Sequence, residues 1–171
     1  MIVVIDYGMG NLRSIQRRFE KIGIRAEITS DTAIIEQADK LILPGVGHFA
    51  NGVMQLKKSG IWEILNNKVL IDKIPILGIC LGMQLMASSG EEVNTEGLGW
   101  FDAKVIKFRT EDKLKYKIPH MGWNTIIQNR SSQLLENVSN DSMYYFAHSY
   151  YIECNDSVDI LTRTVYEKSF T

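Results

Sequence analysis

Cys80 stands between Gly78 and Gly82 in PILGICLGMQL, residues 75–85, where an apolar run gives out. A thiolate is intrinsically a strong nucleophile, and the spacing Gly-x-Cys-x-Gly sets it on a turn too tight for side chains on either flank. The apolar run reads as a strand and the residues after it as the start of a helix. That context is the one a nucleophile elbow needs, because the sharp turn lifts the reactive side chain clear of the sheet edge. A helix beginning there would aim its N-terminal dipole at the sulfur and favour thiolate over thiol. The same pattern would also suit a structural cysteine in a strand-to-helix turn.

Acyl transfer by a thiolate needs two donors for the developing oxyanion: the N–H after the nucleophile and one from a neighbouring loop. Leu81 would supply the first. LPGVGHF, residues 43–49, would supply the second, since it follows another strand-like run and its glycines let a backbone N–H turn toward a ligand. A plain tight turn is the alternative for that loop.

Other candidates carry less. DYGMGN, residues 6–11, has the G-x-G of a dinucleotide loop, but the third glycine position holds Arg13, so it reads as a structural loop at the same sheet edge. His48, His120 and His148 lie far apart and make no metal-ligand spacing with Cys80 or Cys154, so neither metal nor cofactor is expected. In FAHSYYI, His148 and Ser149 alternate across a strand-like run, and a satisfied histidine is the plainer reading. Cys154 is expected to be inert. KIPHMGWN, residues 117–124, exposes Trp123 either to the core or to a partner, and an exposed Trp beside Gly and Pro is typical of an interface anchor.

These side chains must be held by an alternation of short apolar runs and amphipathic segments. IVVI predicts a strand, and NLRSIQRRFEKIG predicts a helix capped by Asn11, with Leu12, Ile15, Phe19 and Ile22 on one face and Gly23 as its stop. RAEIT, KLILPG and IPILGIC predict three more strands, with a short helix capped by Ser30 or Asp31 and one or two helices over 49–70 between them. Strands alternating with helices imply parallel pairing with helices on both faces. From about Gly97 strand-like runs follow one another with few helical signals, which predicts antiparallel strands appended to the parallel sheet. One α/β domain over 1–171 is expected.

Composition bounds the function. The chain has 171 residues, 45% hydrophobic and 23% charged, with a net charge of −1, which is ordinary for a soluble globular protein and gives no footprint for nucleic acid or an acidic membrane. No apolar stretch approaches the ~20 residues of a membrane span. Two cysteines are too few for a disulfide framework, and a reducing cytoplasm is the expected compartment.

Taken together and in order, DYGMGNLRS, LPGVGHF, LGICLGMQL, IPHMGWN and YFAHSYY resemble the glutamine amidotransferase subunits of imidazole glycerol phosphate synthase, class-I triad-type glutaminases of histidine biosynthesis. The resemblance runs the length of the chain. It implies a three-layer, flavodoxin-like, mostly parallel sheet with appended antiparallel strands. It implies hydrolysis of glutamine through a thioester on Cys80, with ammonia passing through a tunnel to a (β/α)8-barrel cyclase in a heterodimer. Residues Gly45, Val46 and Gly47 match the oxyanion loop, which docking of the partner would reorient. Gln84, His148, Ser149 and Tyr150 match positions that hold glutamine. His120, Met121, Trp123 and Asn124 match a segment facing the cyclase.

One departure stands out. The family completes its triad with a histidine and a glutamate in a late FHPEKS-like motif, and YEKSF at 166–170 has Val165 where that histidine would be. The expectation is a C-terminally truncated glutaminase with little turnover. Two alternatives remain at this point: a paralogue feeding a sugar amidotransferase in surface-polysaccharide synthesis, and a non-catalytic partner subunit.

Overall fold

In the computed structural model, which describes residues 1–139 and 141–171, IVVI forms strand β1 (Ile2–Ile5) with Val3, Val4 and Ile5 buried. Successive side chains of a strand face opposite ways, so burial at consecutive positions requires cover on both faces of the sheet. Helix α1 (Leu12–Lys21) gives one cover, laying Leu12, Ile15 and Phe19 against Val4, Ala26 and Ile42. Asn11 caps it by accepting the Ser14 N–H at 3.3 Å. The residues of opposite parity, Val3, Ile5, Leu41 and Leu43, are just as buried, so the second face is covered too.

The chain continues through β2 (Ala26–Thr29), α2 (Thr32–Glu36), β3 (Lys40–Leu43), α3 (Phe49–Lys58) and α4 (Ile61–Asn66), which runs on into a π turn at Asn67–Ile71. Asp31, not Ser30, caps α2, its carboxylate accepting the Ala33 N–H at 2.9 Å. Strand β4 (Ile76–Gly78), α5 (Leu81–Gln84) and a small antiparallel hairpin of β5 (Ala87–Gly90) and β6 (Thr95–Glu96) complete this part. Strands β1 to β4 are all parallel, in the order β2-β1-β3-β4. That order reverses direction between β1 and β3, and such a switch point leaves a crevice beyond the carboxyl ends of the strands.

The remainder holds β7 (Phe101–Lys107), β8 (His120–Thr125), β9 (Ile127–Gln128), β10 (Met143–His148), β11 (Tyr150–Cys154), β12 (Thr162–Tyr166) and β13 (Lys168–Phe170). Its pairings are antiparallel, as the change of texture after Gly97 predicts: β7 with β11, β8 with β10, and β12 with both β9 and β13. The run MYYFAHSYYIEC is two strands, because at Ser149 the chain leaves the partner β8 and takes up β7. Internal contacts divide the protein into two compact units, Met1–Trp100 and Phe101–Thr171, and the boundary falls close to that same change. Among the described residues no helix is long and apolar enough to cross a membrane.

Candidate active site

Because β1, β3 and β4 are neighbours and parallel, the segments leaving their carboxyl ends share one edge of the sheet. These are DYGMGN after β1, PGVG after β3 and the turn carrying Cys80 after β4. The pairing of β3 with β4 continues to the turn itself, where Ile79 N donates to Leu43 O at 2.9 Å. Cys80 therefore begins where the sheet ends.

Its backbone makes the sharp turn that the glycine spacing predicts. Cys80 has φ +54° and ψ −117°, a region that L side chains rarely enter, and its side chain is exposed. Such a conformation costs on the order of 1–3 kcal/mol and persists only where the surroundings impose it. The surroundings here are the flanking glycines. A Cβ on Gly82 would stand 1.8 Å from Leu43 O, and one on Gly78 would stand 2.5 Å from Met83 Cα, so no larger residue fits either position.

The helix after the elbow is shorter than the sequence suggests. Helix α5 is a single turn, in which Gly82 N–H bonds Ile79 O and the N–H groups of Met83 and Gln84 both bond Cys80 O. Leu81 is the first residue of this turn, so its N–H has no acceptor within the turn itself. Gln84 closes the turn, half-buried.

The PGVG loop packs directly on this turn. Gly45 is buried, and a Cβ there would meet Leu81 Cβ and Gly82 N at 2.9 Å each and the Tyr7 hydroxyl at 2.6 Å. Val46 and Gly47 follow, exposed, with Gly47 at φ +109°. The structure thus gathers Cys80, Leu81, Gly45, Val46 and Gly47 at one sheet edge.

Two residues in this neighbourhood escape a reading of the sequence. Tyr7 is buried, and its hydroxyl donates to Pro44 O at 2.7 Å. Burial first, and the nearby Cys80 second, push its ionisation well above the ordinary tyrosine range. Glu92 accepts the Phe49 N–H at 2.8 Å through Oε2 and meets His48 Nδ1 through Oε1, tying the far end of the PGVGHF segment to the start of α3. No local pattern marks the first, whose partner lies 37 residues away. Nothing local marks the second.

The other predicted residues lie in the second unit. His148 Nδ1 is 2.8 Å from Tyr150 O and its Nε2 is 3.0 Å from His120 Nδ1. A carbonyl only accepts, so His148 carries a proton on Nδ1; with both rings neutral, its Nε2 then accepts the Nδ1–H of His120. Burial favours the neutral form of both imidazoles. Burial first, and His148 second, lower His120 to about 4, and burial lowers His148 in the same direction against the pull of the Tyr150 carbonyl.

This placement corrects one expectation. His120 is 3% exposed, stacked between Phe146 and Tyr166, and therefore cannot face a partner. Met121 and Trp123, by contrast, are 62% and 65% exposed on the opposite face of β8. Across the β8–β10 pair Trp123 meets Tyr145 edge-on with ring centroids 5.6 Å apart, and exposed Met143 extends the apolar face. Asn124 is half-buried, its Nδ2 donating to Val165 O at 3.0 Å. Burial pushes the Cys154 thiol upward, with Asp159 adding to it, consistent with an unreactive cysteine.

Comparison with known proteins adds a family to this geometry. Residues 3–169 match the family described as glutamine amidotransferase class-I. A protein of Methanococcus maripaludis named imidazole glycerol phosphate synthase subunit HisH 2 is 50% identical over 171 residues, covering all of this chain and 84% of that protein. A protein of the same name from Pseudomonas aeruginosa is 42% identical with the same coverage. Among solved structures, a glutamine amidotransferase superposes with a TM-score of 0.73 at 16% identity, over 95% of this chain and 80% of the other.

Proposed function

The chain belongs to the class-I glutamine amidotransferases, and we propose that it works as the glutamine-hydrolysing subunit of an imidazole glycerol phosphate synthase. The observation that carries this is identity of 50% across the whole chain with a subunit of that name. The family match over residues 3–169 supports treating both compact units as parts of one amidotransferase domain.

In this reading Cys80 is the nucleophile. Its thiolate attacks the side-chain carboxamide carbon of glutamine, forming a C–S bond and moving the carbonyl electrons onto oxygen. The Leu81 N–H and a backbone N–H of residues 45–47 hold that oxyanion, and one such donor is typically worth about 10²–10³ in kcat. Collapse of the adduct breaks the C–N bond. The nitrogen leaves as ammonia once it has gained a proton, and water then cleaves the thioester to glutamate. In the family the proton is handled by a histidine oriented by a glutamate, in a motif not found within residues 1–171. The family resemblance gives Gln84, and separately the segment His148, Ser149 and Tyr150, as positions that hold substrate. With both ring nitrogens of His148 engaged, that segment would act through its backbone and through Ser149 and Tyr150.

Ammonia is of use only if it reaches an acceptor before it is lost to water. The proposed partner is therefore a (β/α)8-barrel cyclase subunit, docked through the Met121 and Trp123 face. The test is product formation by the pair with glutamine or with ammonium salt as nitrogen source. Cys80→Ala is expected to abolish synthesis from glutamine and to leave synthesis from ammonia intact. Equal loss with both sources would contradict the assignment.

A further inference from the structure

Tyr7 has no part in the chemistry above, yet its placement ties it to the oxyanion loop. Its ring closes β1 inside the protein, 3% exposed, and its hydroxyl donates to Pro44 O at 2.7 Å. Pro44 is itself buried. A carbonyl withdrawn from water that loses its donor costs about 1–3 kcal/mol, so this bond holds the peptide firmly.

The direction of that hold matters. In a trans peptide the C=O and the following N–H point opposite ways. Drawing Pro44 O onto Tyr7 turns the Gly45 N–H away from the Tyr7 hydroxyl, and a Cβ on Gly10 would lie 3.3 Å from Gly45 N and 3.1 Å from Pro44 Cβ. On its other side Gly45 rests on Leu81 and Gly82. The Pro44–Gly45 peptide is thus gripped by Tyr7, Gly10 and the elbow, while Val46 and Gly47 beyond it are exposed, and the one neighbour a Cβ on Gly47 would meet is the flexible end of Met9, at 3.2 Å.

We propose that Tyr7 is a positioning residue for the oxyanion loop: its hydroxyl locks the Pro44–Gly45 peptide against the elbow, so that the exposed residues after it swing from a fixed point and present a backbone N–H to the adduct on Cys80. This rests on Cys80 being the nucleophile. Because its ionisation is pushed above the ordinary range, the hydroxyl donates at every working pH and acts by orientation, without transferring a proton.

The test compares two reagents on the full chain bound to its synthase subunit. One is a chloroketone analogue of glutamine, and the other is iodoacetamide. Each forms a C–S bond with Cys80 as chloride or iodide departs, the thiol proton going to solvent. Glutamine recognition places only the ketone oxygen of the first where the oxyanion donors act. Tyr7→Phe removes one oxygen and keeps the ring. It is expected to lower the saturating rate of ketone labelling about tenfold, while the half-saturating concentration and the iodoacetamide rate stay within about twofold.

Equal slowing with both reagents, a change in half-saturation alone, or no change at all would each overturn the proposal. A wild-type protein that takes iodoacetamide at Cys80 but never the ketone would remove the nucleophile reading, and the proposal with it. Cys154, half-buried, serves as the fold control, since its alkylation accelerates only if the protein opens. Should the Phe variant unfold, Gly10→Ala presses on the same peptide and carries the same expected split.

Discussion

The two buried imidazoles make a quantitative prediction about acid. His120 and His148 form a single hydrogen-bonded line ending at Tyr150 O, which, when both rings are neutral, places both protons on Nδ1. In the unfolded chain each would take up a proton near 6.5, whereas His120 in the folded protein resists down to about 4. Between those values the unfolded state binds more protons, so stability is complete above the window and falls as pH drops through it. From pH 7.5 to pH 5 this amounts to about 2 kcal/mol for His120. His148 adds to the loss in the same direction. The comparison variant is His120→Asn, whose amide N–H can still donate to His148 Nε2 but does not titrate. Urea unfolding at pH 7.5 and pH 5 is expected to show wild type losing about 2 kcal/mol more than His120→Asn. Parallel losses, or an NMR titration placing His120 above pH 6, would refute the reasoning.

Gly82→Ala would drive a Cβ to 1.8 Å from Leu43 O, between two stretches of backbone that cannot both retreat. It is expected to cost about 3 kcal/mol or more and to lower the melting temperature by about 6–12 °C. Gly99→Ala, where φ is +67° but no atom lies within 4 Å, is expected to cost only the about 1–2 kcal/mol of a left-handed alanine, as a melt of each variant would reveal. Trp123→Ala removes an exposed anchor, so titration against the synthase subunit is expected to show binding weakened about thirtyfold, with the melt of the isolated protein almost unmoved. Glu92→Ala frees the Phe49 N–H at the start of α3 and is expected to destabilise by about 1 kcal/mol in denaturant unfolding.

The parallel sheet was legible because its signals are local. Asn11 before an apolar stripe at 12, 15 and 19, and IVVI with no alternation, each specify an element without reference to the rest of the chain. The elbow was legible for the same reason: two glycines and a cysteine at fixed spacing describe one turn. Tyr7 and Glu92 were not, because each acts across more than thirty residues of sequence, and only the fold brings Tyr7 to Pro44 or Glu92 to Phe49. The inward turn of His120 follows from strand parity. Positions 120 and 123 differ by an odd number, so in a strand they face opposite ways, and exposing Trp123 buries His120. Ser149 gave no warning, since nothing in an unbroken aromatic run marks where a strand exchanges one partner for another.

The proposed reaction requires a sulfur that becomes acylated. Rapid quenching of the full chain and its synthase subunit after mixing with glutamine, followed by peptide mass analysis, tests this most directly. The prediction is a glutamyl adduct confined to the peptide bearing Cys80 and absent from Cys80→Ser. Release of glutamate with no adduct at Cys80, or with undiminished rate in Cys80→Ser, would contradict it.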